Sequence, residues 1–378
     1  MSFPKMRLDK VCRITMGQAP SGDSYNFDGN GLALIAGAGD FGKETPEPKK
    51  YTTAAGKRSE EGEIILCIRA TIGDLNWSDK KYCLGRGVAG LFGHKDKLDQ
   101  KYLWHWLKNI APLLKLKGKG ATFLQVTKED ICSLEIALPP LAEQRRIASI
   151  LDQADELRQK RQQAIEKLDQ LLQATFIDMF GDPVSNPKGW DVKKLENLTT
   201  KIGSGSTPKG GDSAYKDEGI SLVRSLNIYD GQFSYKNLAF IDQDQADKLK
   251  NVILQANDVL LNITGASVAR CCLIPNEVLP ARVNQHVSIL RVKDNLIPEF
   301  LEALLISKPM KLHLLKISGA GATREALTKL QLQELEIIVP PLDIQNEFLL
   351  KLKSIKCLID LNLKQLNELD KLFISRVC

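Results

Sequence analysis

Three stretches carry residue types that could form a chemical site. Gly37-Ala38-Gly39-Asp40-Phe41-Gly42 follows the apolar run Leu32–Ile35 and has the G-x-G-x-x-G spacing that brings backbone amides to a dinucleotide pyrophosphate. That chemistry needs a helix after the last glycine, and Pro46 and Pro48 stand where it would form. Nucleotide binding is therefore set aside. Gly203-Ser204-Gly205-Ser206-Thr207-Pro208-Lys209 has the composition of a phosphate loop, but no Gly-Lys-Ser or Gly-Lys-Thr ending and no helix after it. It reads as an ordinary loop, or as one whose amides and hydroxyls approach a nucleic-acid phosphate. Asn186-Pro187 matches half of an adenine-methyltransferase tetrad, yet Lys188 follows in place of a second proline and an aromatic residue. The four histidines (His94, His105, His286, His313) include no H-E-x-x-H pair, and the eight cysteines no C-x-x-C or zinc spacing. Reduced cytosolic thiols are the expectation. With no catalytic constellation in view, the chain is expected not to be an enzyme and to carry no cofactor or metal.

The elements that would position any site are clearer. Leu141 to about Phe180 is free of Pro and Gly and rich in Gln, Glu, Lys, Leu and Ala, which predicts one long helix. Ile150, Leu157, Ala164 and Leu171 recur every seven residues, with Ile147, Ala154 and Leu168 as a second seam, so the stripe is narrow and wants a partner helix. Val339 to Phe373 repeats the design through Leu352, Ile355, Ile359, Leu366, Leu369 and Phe373, with Asn362 at the one polar seam position. Each helix is announced by Pro-Pro-Leu-x-x-Gln, at Pro139 and again at Pro340. That 201-residue offset holds back to Gly118 and Gly319. Met16-Gly17-Gln18-Ala19-Pro20 likewise matches Ser204-Gly205-Ser206-Thr207-Pro208, at an offset of 188. The chain is a tandem duplication of a globular domain followed by a helix, with diverged middles.

In each half, short strands (around residues 62–68, 88–92 and 134–138; then 220–226, 258–263 and 287–292) accompany one helix, at 102–116 and at 298–317. Pro112 is expected to kink or break the first of these. The class expected is α+β, with boundaries at 1–138, 139–181, 182–339 and 340–378. The net charge of +6 belongs to the globular parts, because each long helix is nearly neutral, which is compatible with a polyanionic partner. No run approaches eighteen apolar residues and Met1–Lys10 has no apolar signal region, so no membrane association and a cytoplasmic location are expected.

These features together resemble the specificity (S) subunit of a Type I restriction–modification enzyme: the paired Pro-Pro-Leu-x-x-Gln helices, the opening loops ending in Pro20 and Pro208, the Gly-Ala-Thr segment before each helix, and Phe180-Gly181-Asp182-Pro183. The resemblance spans essentially the whole chain. It implies two target-recognition domains held apart by two long helices packed as an antiparallel coiled coil. It also implies two modification (methyltransferase) subunits and restriction/translocase subunits as partners, with S-adenosylmethionine, ATP and Mg bound by those partners. Val283-Asn284-Gln285-His286 stands in the second half where the first has Gly85-Arg86-Gly87-Val88, so the two domains are expected to read unrelated half-sites.

The physical logic agrees. A helix of 35–40 residues spans about 50–60 Å, or about 15 base pairs of double-stranded DNA, and antiparallel pairing would give the duplicated chain pseudo-twofold symmetry. Arg reads guanine and Asn or Gln reads adenine, while Lys, Ser and Thr mostly hold phosphates. The DNA-binding candidates are Gln18, Arg69, Arg86, Lys117 and Lys119 in the first half. In the second they are Gly203, Ser204, Gly205, Ser206, Thr207, Lys209, Arg224, Asn227, Arg270, Asn284, Gln285 and Arg324. His286 reads as a scaffold residue. The competing class is a coiled-coil scaffold whose heads bind proteins, which salt-insensitive binding would mark.

Overall fold

A computed structural model describes residues 3–120, 124–208, 210–319 and 325–377. It resolves into two units, Met1–Gln162 with Leu363–Cys378, and Gln163–Asn362.

The first unit opens with Lys5–Arg7, which pairs antiparallel with Glu135–Ala137 and so ties the first strand of the domain to its last. Between them a four-stranded antiparallel sheet runs in the order Cys12–Met16, Val88–Gly93, Ile64–Cys67, Leu75–Trp77. A second sheet ends in a parallel pair, Leu32–Ile35 with Cys83–Leu84. The helix Gln100–Leu116 packs Leu103, Trp106, Leu107 and Leu114 against the first sheet. It runs through Pro112 without ending, so of the kink or break expected there the break does not occur.

The second unit repeats this plan. Val192–Lys194 pairs with Glu336–Ile338. The main sheet runs Thr199–Ser204, Val287–Val292, Val259–Asn262, Cys271–Leu273, and the parallel pair is Ile220–Val223 with Ala281–Val283. The single helix expected at 298–317 is two, Pro298–Ile306 and Lys308–Ser318. They part at the extended Ser307, because Pro309 at the start of the second cannot donate to the turn before it.

The long helices are Leu141–Phe180 and Leu342–Val377. Their duplicated glutamine explains its motif. Gln144, 1% exposed, accepts from the Asp99 amide (2.8 Å) and donates to the Lys97 and Pro139 carbonyls (2.8 and 2.9 Å). Gln345, fully buried, accepts from the Ile297 amide (2.9 Å) and donates to the Pro340 carbonyl (2.7 Å). Each helix is thus fastened to the segment leading into its domain's own helix.

In the second long helix the expected seam holds as far as Leu369: Leu352, Ile355 and Asn362 are buried, and Ile359, Leu366 and Leu369 half-buried, while the Phe373 side chain lies outside the described residues. In the first, the seam of Ile147, Ala154 and Leu168 is buried or half-buried as expected, and of the other seam Ala164 is half-buried while the rest is displaced by one residue. Ile150, Leu157 and Leu171 are exposed, whereas Ala148, Leu151, Ile165 and Phe176 are buried. Arg158 and Arg161 sit half-buried along the true stripe and disguise it, since their methylene stems pack like apolar residues.

Within the second unit the end of the first long helix meets the start of the second, through Phe176 and Phe180 against Phe348 at 5.7 and 5.3 Å between ring centres. Gly181 (φ 75°) then stops the helix. Asn186 and Trp190 close a turn on each other, and the Trp190 indole donates to the Phe180 carbonyl. The tetrad-like Asn186-Pro187 is therefore a helix-capping turn.

Candidate nucleic-acid interface

In the first unit the backbone just before the central strand Val88–Gly93 is pinned on both sides. Gly17 donates to Val88 O (2.9 Å), Gln18 to Leu84 O (2.8 Å), Gly85 to Ile35 O (2.8 Å), Gly87 to Ala36 O (3.0 Å) and Ile68 to Gly87 O (2.9 Å). Only glycine fits, because a Cβ on Gly17 or on Gly87 would lie 2.1 Å from a backbone oxygen. The turn so made presents Arg86, which is exposed, between two immobilised glycines.

Arg69, seventeen residues earlier, is half-buried beside it. Burial depresses the Arg69 pKa, and the Arg86 charge depresses it further. The buried Nε of Arg69 has no hydrogen-bond partner among the described residues. Both arginines line a cleft of about 740 Å³ walled by Ala19–Pro20, Ala36–Gly39, Arg69–Thr71 and Gly85–Gly87, with Asp74 its one acidic residue. The Gly37-Ala38-Gly39 stretch is a single tight turn in that wall. Ala70 holds a left-handed φ of 54°, a strained conformation for alanine.

Gln125 bridges Arg69 on one side and Lys119 on the other. Lys119 is exposed, 3.9 Å from Asp130, and Lys117 ends the helix Gln100–Leu116. Arg69 and Arg86 therefore line one cleft, with exposed Gln18 next to its wall residue Ala19 and with Lys117 and Lys119 on the segment stitched to it.

The second unit has a turn in the same register, with two of these bonds kept and two changed: Gly205 does not reach Val287 O as Gly17 reaches Val88 O, and the His286 amide bonds the Asn284 side chain where Gly87 bonds Ala36 O. Gly205 donates to Asn284 O (3.0 Å), Asn284 to Val223 O (3.1 Å) and Ile263 to His286 O (2.9 Å). Gly203 and Ser204 finish the strand Thr199–Ser204. Gly205 is required by close approach, since a Cβ there would lie 1.8 Å from Val283 O. The hydrogen bonds equate Gly87 with His286, Arg86 with Gln285, Gly85 with Asn284 and Arg69 with Thr264, which corrects by one residue the expected match of Val283–His286 with Gly85–Val88. A polar chain results. Thr207 bonds Gln285 Oε1, Gln285 Nε2 lies 3.0 Å from His286 Nε2, and His286 Nδ1 bonds Thr264. Gln285 is exposed at the mouth of this chain. Asn284 is buried and accepts from the His286 amide (3.0 Å), and His286 is a scaffold residue as expected. Ser206 and Thr207 border a hollow of about 500 Å³ with Lys248 at its rim.

The remaining candidates separate. Arg224 and Arg270 lie over the rings of Tyr215 and Tyr229 at 4.8 and 4.9 Å. Asn227 does not face a ligand: it is fully buried, accepting from the Arg224 amide and donating to the Ser234 and Lys236 carbonyls. That residue braces its own loop, which corrects its candidacy. Lys209 and Arg324 lie outside the described residues. Thr264 was missed, and only its alignment with Arg69 in space brings it forward.

Two stretches of the chain, residues 3–167 and 187–371, match the model of a family described as the Type I restriction modification DNA specificity domain. The chain belongs to that family. The specificity domains coincide with the two copies of the backbone plan. A provisionally named MjaX specificity subunit from Methanocaldococcus jannaschii is 38% identical over 42% of the chain, an alignment spanning 38% of that relative's length. The MjaVIII type I restriction enzyme specificity subunit of the same organism is 26% identical over 82% of the chain and 76% of its own length. The EcoBI specificity subunit of Escherichia coli is 22% identical over 97% and 82%. In fold, the chain is similar over its full length to the S subunit of a type I system from M. genitalium (TM-score 0.58, 15% identity, 95% of that chain). It is likewise similar to a chain from a structure on complex assembly in the type I R-M system (TM-score 0.64, 20% identity, 96% of that chain). Among the described residues no helix is long and apolar enough to cross a membrane, and no group of three or more His, Cys, Asp or Glu could hold a metal.

Proposed function

We propose that this chain is the non-catalytic subunit that reads a bipartite target in double-stranded DNA, one half-site per specificity domain. It directs two modification subunits to that target, and restriction subunits join them. S-adenosylmethionine, ATP and Mg belong to those partners. The observation carrying the reading is the turn held in one register in both specificity domains, by Ile68 and Ile263 donating to Gly87 O and His286 O and by Gly85 and Asn284 donating to Ile35 O and Val223 O, while the side chains it presents differ, Arg86 in one and Gln285 in the other. A scaffold for protein partners would have no need of that combination.

The test is to exchange residues 1–138 for the matching domain of a relative and to read the methylation motif of cells carrying the complex. One half of the motif should change and the other persist. Alteration of both halves, or DNA binding by the complex that ignores salt between 50 and 200 mM, where phosphate neutralisation costs about 10³–10⁵ in affinity for six to ten contacts, would overturn it.

A further inference from the structure

We infer that Arg86 and Gln285 are the base-reading side chains of the two domains, Arg86 taking the guanine edge of a G·C pair and Gln285 the adenine edge of an A·T pair. This rests on the DNA-reading function proposed above and adds to it which residue reads and which base.

The argument begins with positional equivalence. Ile68 donates to Gly87 O and Ile263 to His286 O, both at 2.9 Å, and Gly85 and Asn284 donate to the ends of matching strands, Ile35 and Val223. Arg86 and Gln285 are therefore one position in two copies of one turn, and both are exposed. The residues occupying that position are informative. Arginine and glutamine differ in charge, length and shape. What they share is the capacity for two parallel hydrogen bonds to a base edge, arginine to O6 and N7 of guanine, glutamine to N6 and N7 of adenine. Arginine and glutamine also contact phosphates, but a phosphate carries the same charge in both half-sites, whereas the exchange of a forked cation for a neutral amide matches two different base edges.

The surroundings prepare each side chain for its edge. Arg86 has glycine on both sides, and their backbones are pinned, so its Cα is fixed while nothing crowds the fork. Arg69 lines the same cleft as Arg86, its pKa lowered by burial and then by the Arg86 charge. Asp74 is the acidic group in the lining. Gln285 is held differently. Its Oε1 receives the Thr207 hydroxyl and its Nε2 faces His286. An amide offers two acceptor sites on oxygen and two hydrogens on nitrogen, so one of each is left, the pair that adenine requires. Thr264 orients the imidazole from behind and so positions the amide.

The experiment measures competition binding by the purified complex of this chain with its modification subunits. The competitors are the target duplex and duplexes with each recognised base pair replaced in turn. The wild-type complex should discriminate at a G·C pair in one half-site, and Arg86→Ala should lose that discrimination, by roughly 5- to 150-fold, at that pair only. Gln285→Ala should do the same at one A·T pair of the other half-site. An Arg86→Ala complex that binds every duplex more weakly by the same factor, with its salt slope reduced by about 1, makes Arg86 a phosphate contact and overturns the inference, as does loss at a pair other than G·C. The DNA-reading function would survive either result. That function fails instead if the wild-type complex prefers none of the duplexes.

Discussion

Replacing Gln345 by leucine tests whether the duplicated glutamine is a structural clamp. The side chain is fully buried and joins three backbone groups: the Ile297 amide at 2.9 Å, the Pro340 carbonyl at 2.7 Å and, at the longer distance of 3.5 Å, the Asn295 carbonyl. Leucine fills nearly the same volume, so cavity formation contributes little and the loss is polar. Each buried group left without a partner costs about 1–3 kcal/mol. With two good bonds removed, the expected destabilisation is about 3 kcal/mol. A unit of 200 residues loses about 2–4 °C per kcal/mol, which gives a fall of about 6–12 °C in the melting of the second unit. Differential scanning calorimetry of the full chain reads this, with Gln170→Leu on an exposed helix face as the control expected to change little. Gln345→Glu refines the test. Its carboxylate would face the Pro340 carbonyl, so its pKa in the fold is raised above the unfolded value of about 4.3. The variant's deficit relative to wild type should be small below that value, where the acid can donate, and should grow as pH rises through the folded pKa. A Gln345→Leu protein melting within a degree of wild type would refute the clamp.

Gly205→Ala, whose Cβ would lie 1.8 Å from Val283 O, should cost several kcal/mol, whereas Gly203→Ala, with nothing within 4 Å, should be near neutral by thermal melt. His105 is buried against Asp152 at 2.8 Å, and burial lowers its pKa despite that neighbour. The first unit should therefore lose stability as pH falls below about 6.5, where the unfolded imidazole takes up a proton first, and His105→Gln should flatten that slope in urea titrations. Among the described cysteines Cys357 is exposed, while burial pushes the Cys12 thiol up to about 12 and Cys271 and Cys272 upward as well. Iodoacetamide should thus label Cys357 well ahead of the other described cysteines in the native protein.

Much of the fold was readable because duplication writes it twice. The strand ends, the paired helices and the Pro-Pro-Leu-x-x-Gln motif recur at fixed offsets, and local pattern suffices for each. Three things were hidden. One of the two seams of the first long helix lies one residue from where the pattern puts it, because half-buried Arg158 occupies it, and half-buried Arg161 fills the gap in the other; a hydrophobic count cannot see either stem. The division of 298–317 at Ser307 follows from Pro309 at the start of a helix, a position where proline is as much at home as at a break. At the candidate interface, Arg69 and Arg86 were chosen for their chemistry, but their meeting at one cleft depends on strand pairing across seventeen residues of unlike sequence. Asn227 shows the converse: its residue type suits adenine, and only burial reveals that its amide is already engaged.

The strand pairs that close each domain have a consequence for synthesis. Lys5–Arg7 cannot pair until Glu135–Ala137 has been made, and Val192–Lys194 waits for Glu336–Ile338. The two closures are separated by 201 residues of chain, about 10–40 s at 5–20 residues per second. Leu134-Glu135-Ile136 is repeated as Leu335-Glu336-Ile337, so the two closing strands present nearly the same residues. Released together from a denaturant, the two could exchange partners and trap the chain in a crossed topology. Emerging from the ribosome in order, the first closing strand meets its own opening strand long before its double exists. Two nearly interchangeable strands are thereby kept apart by time, and refolding of the whole chain should be less faithful than its birth.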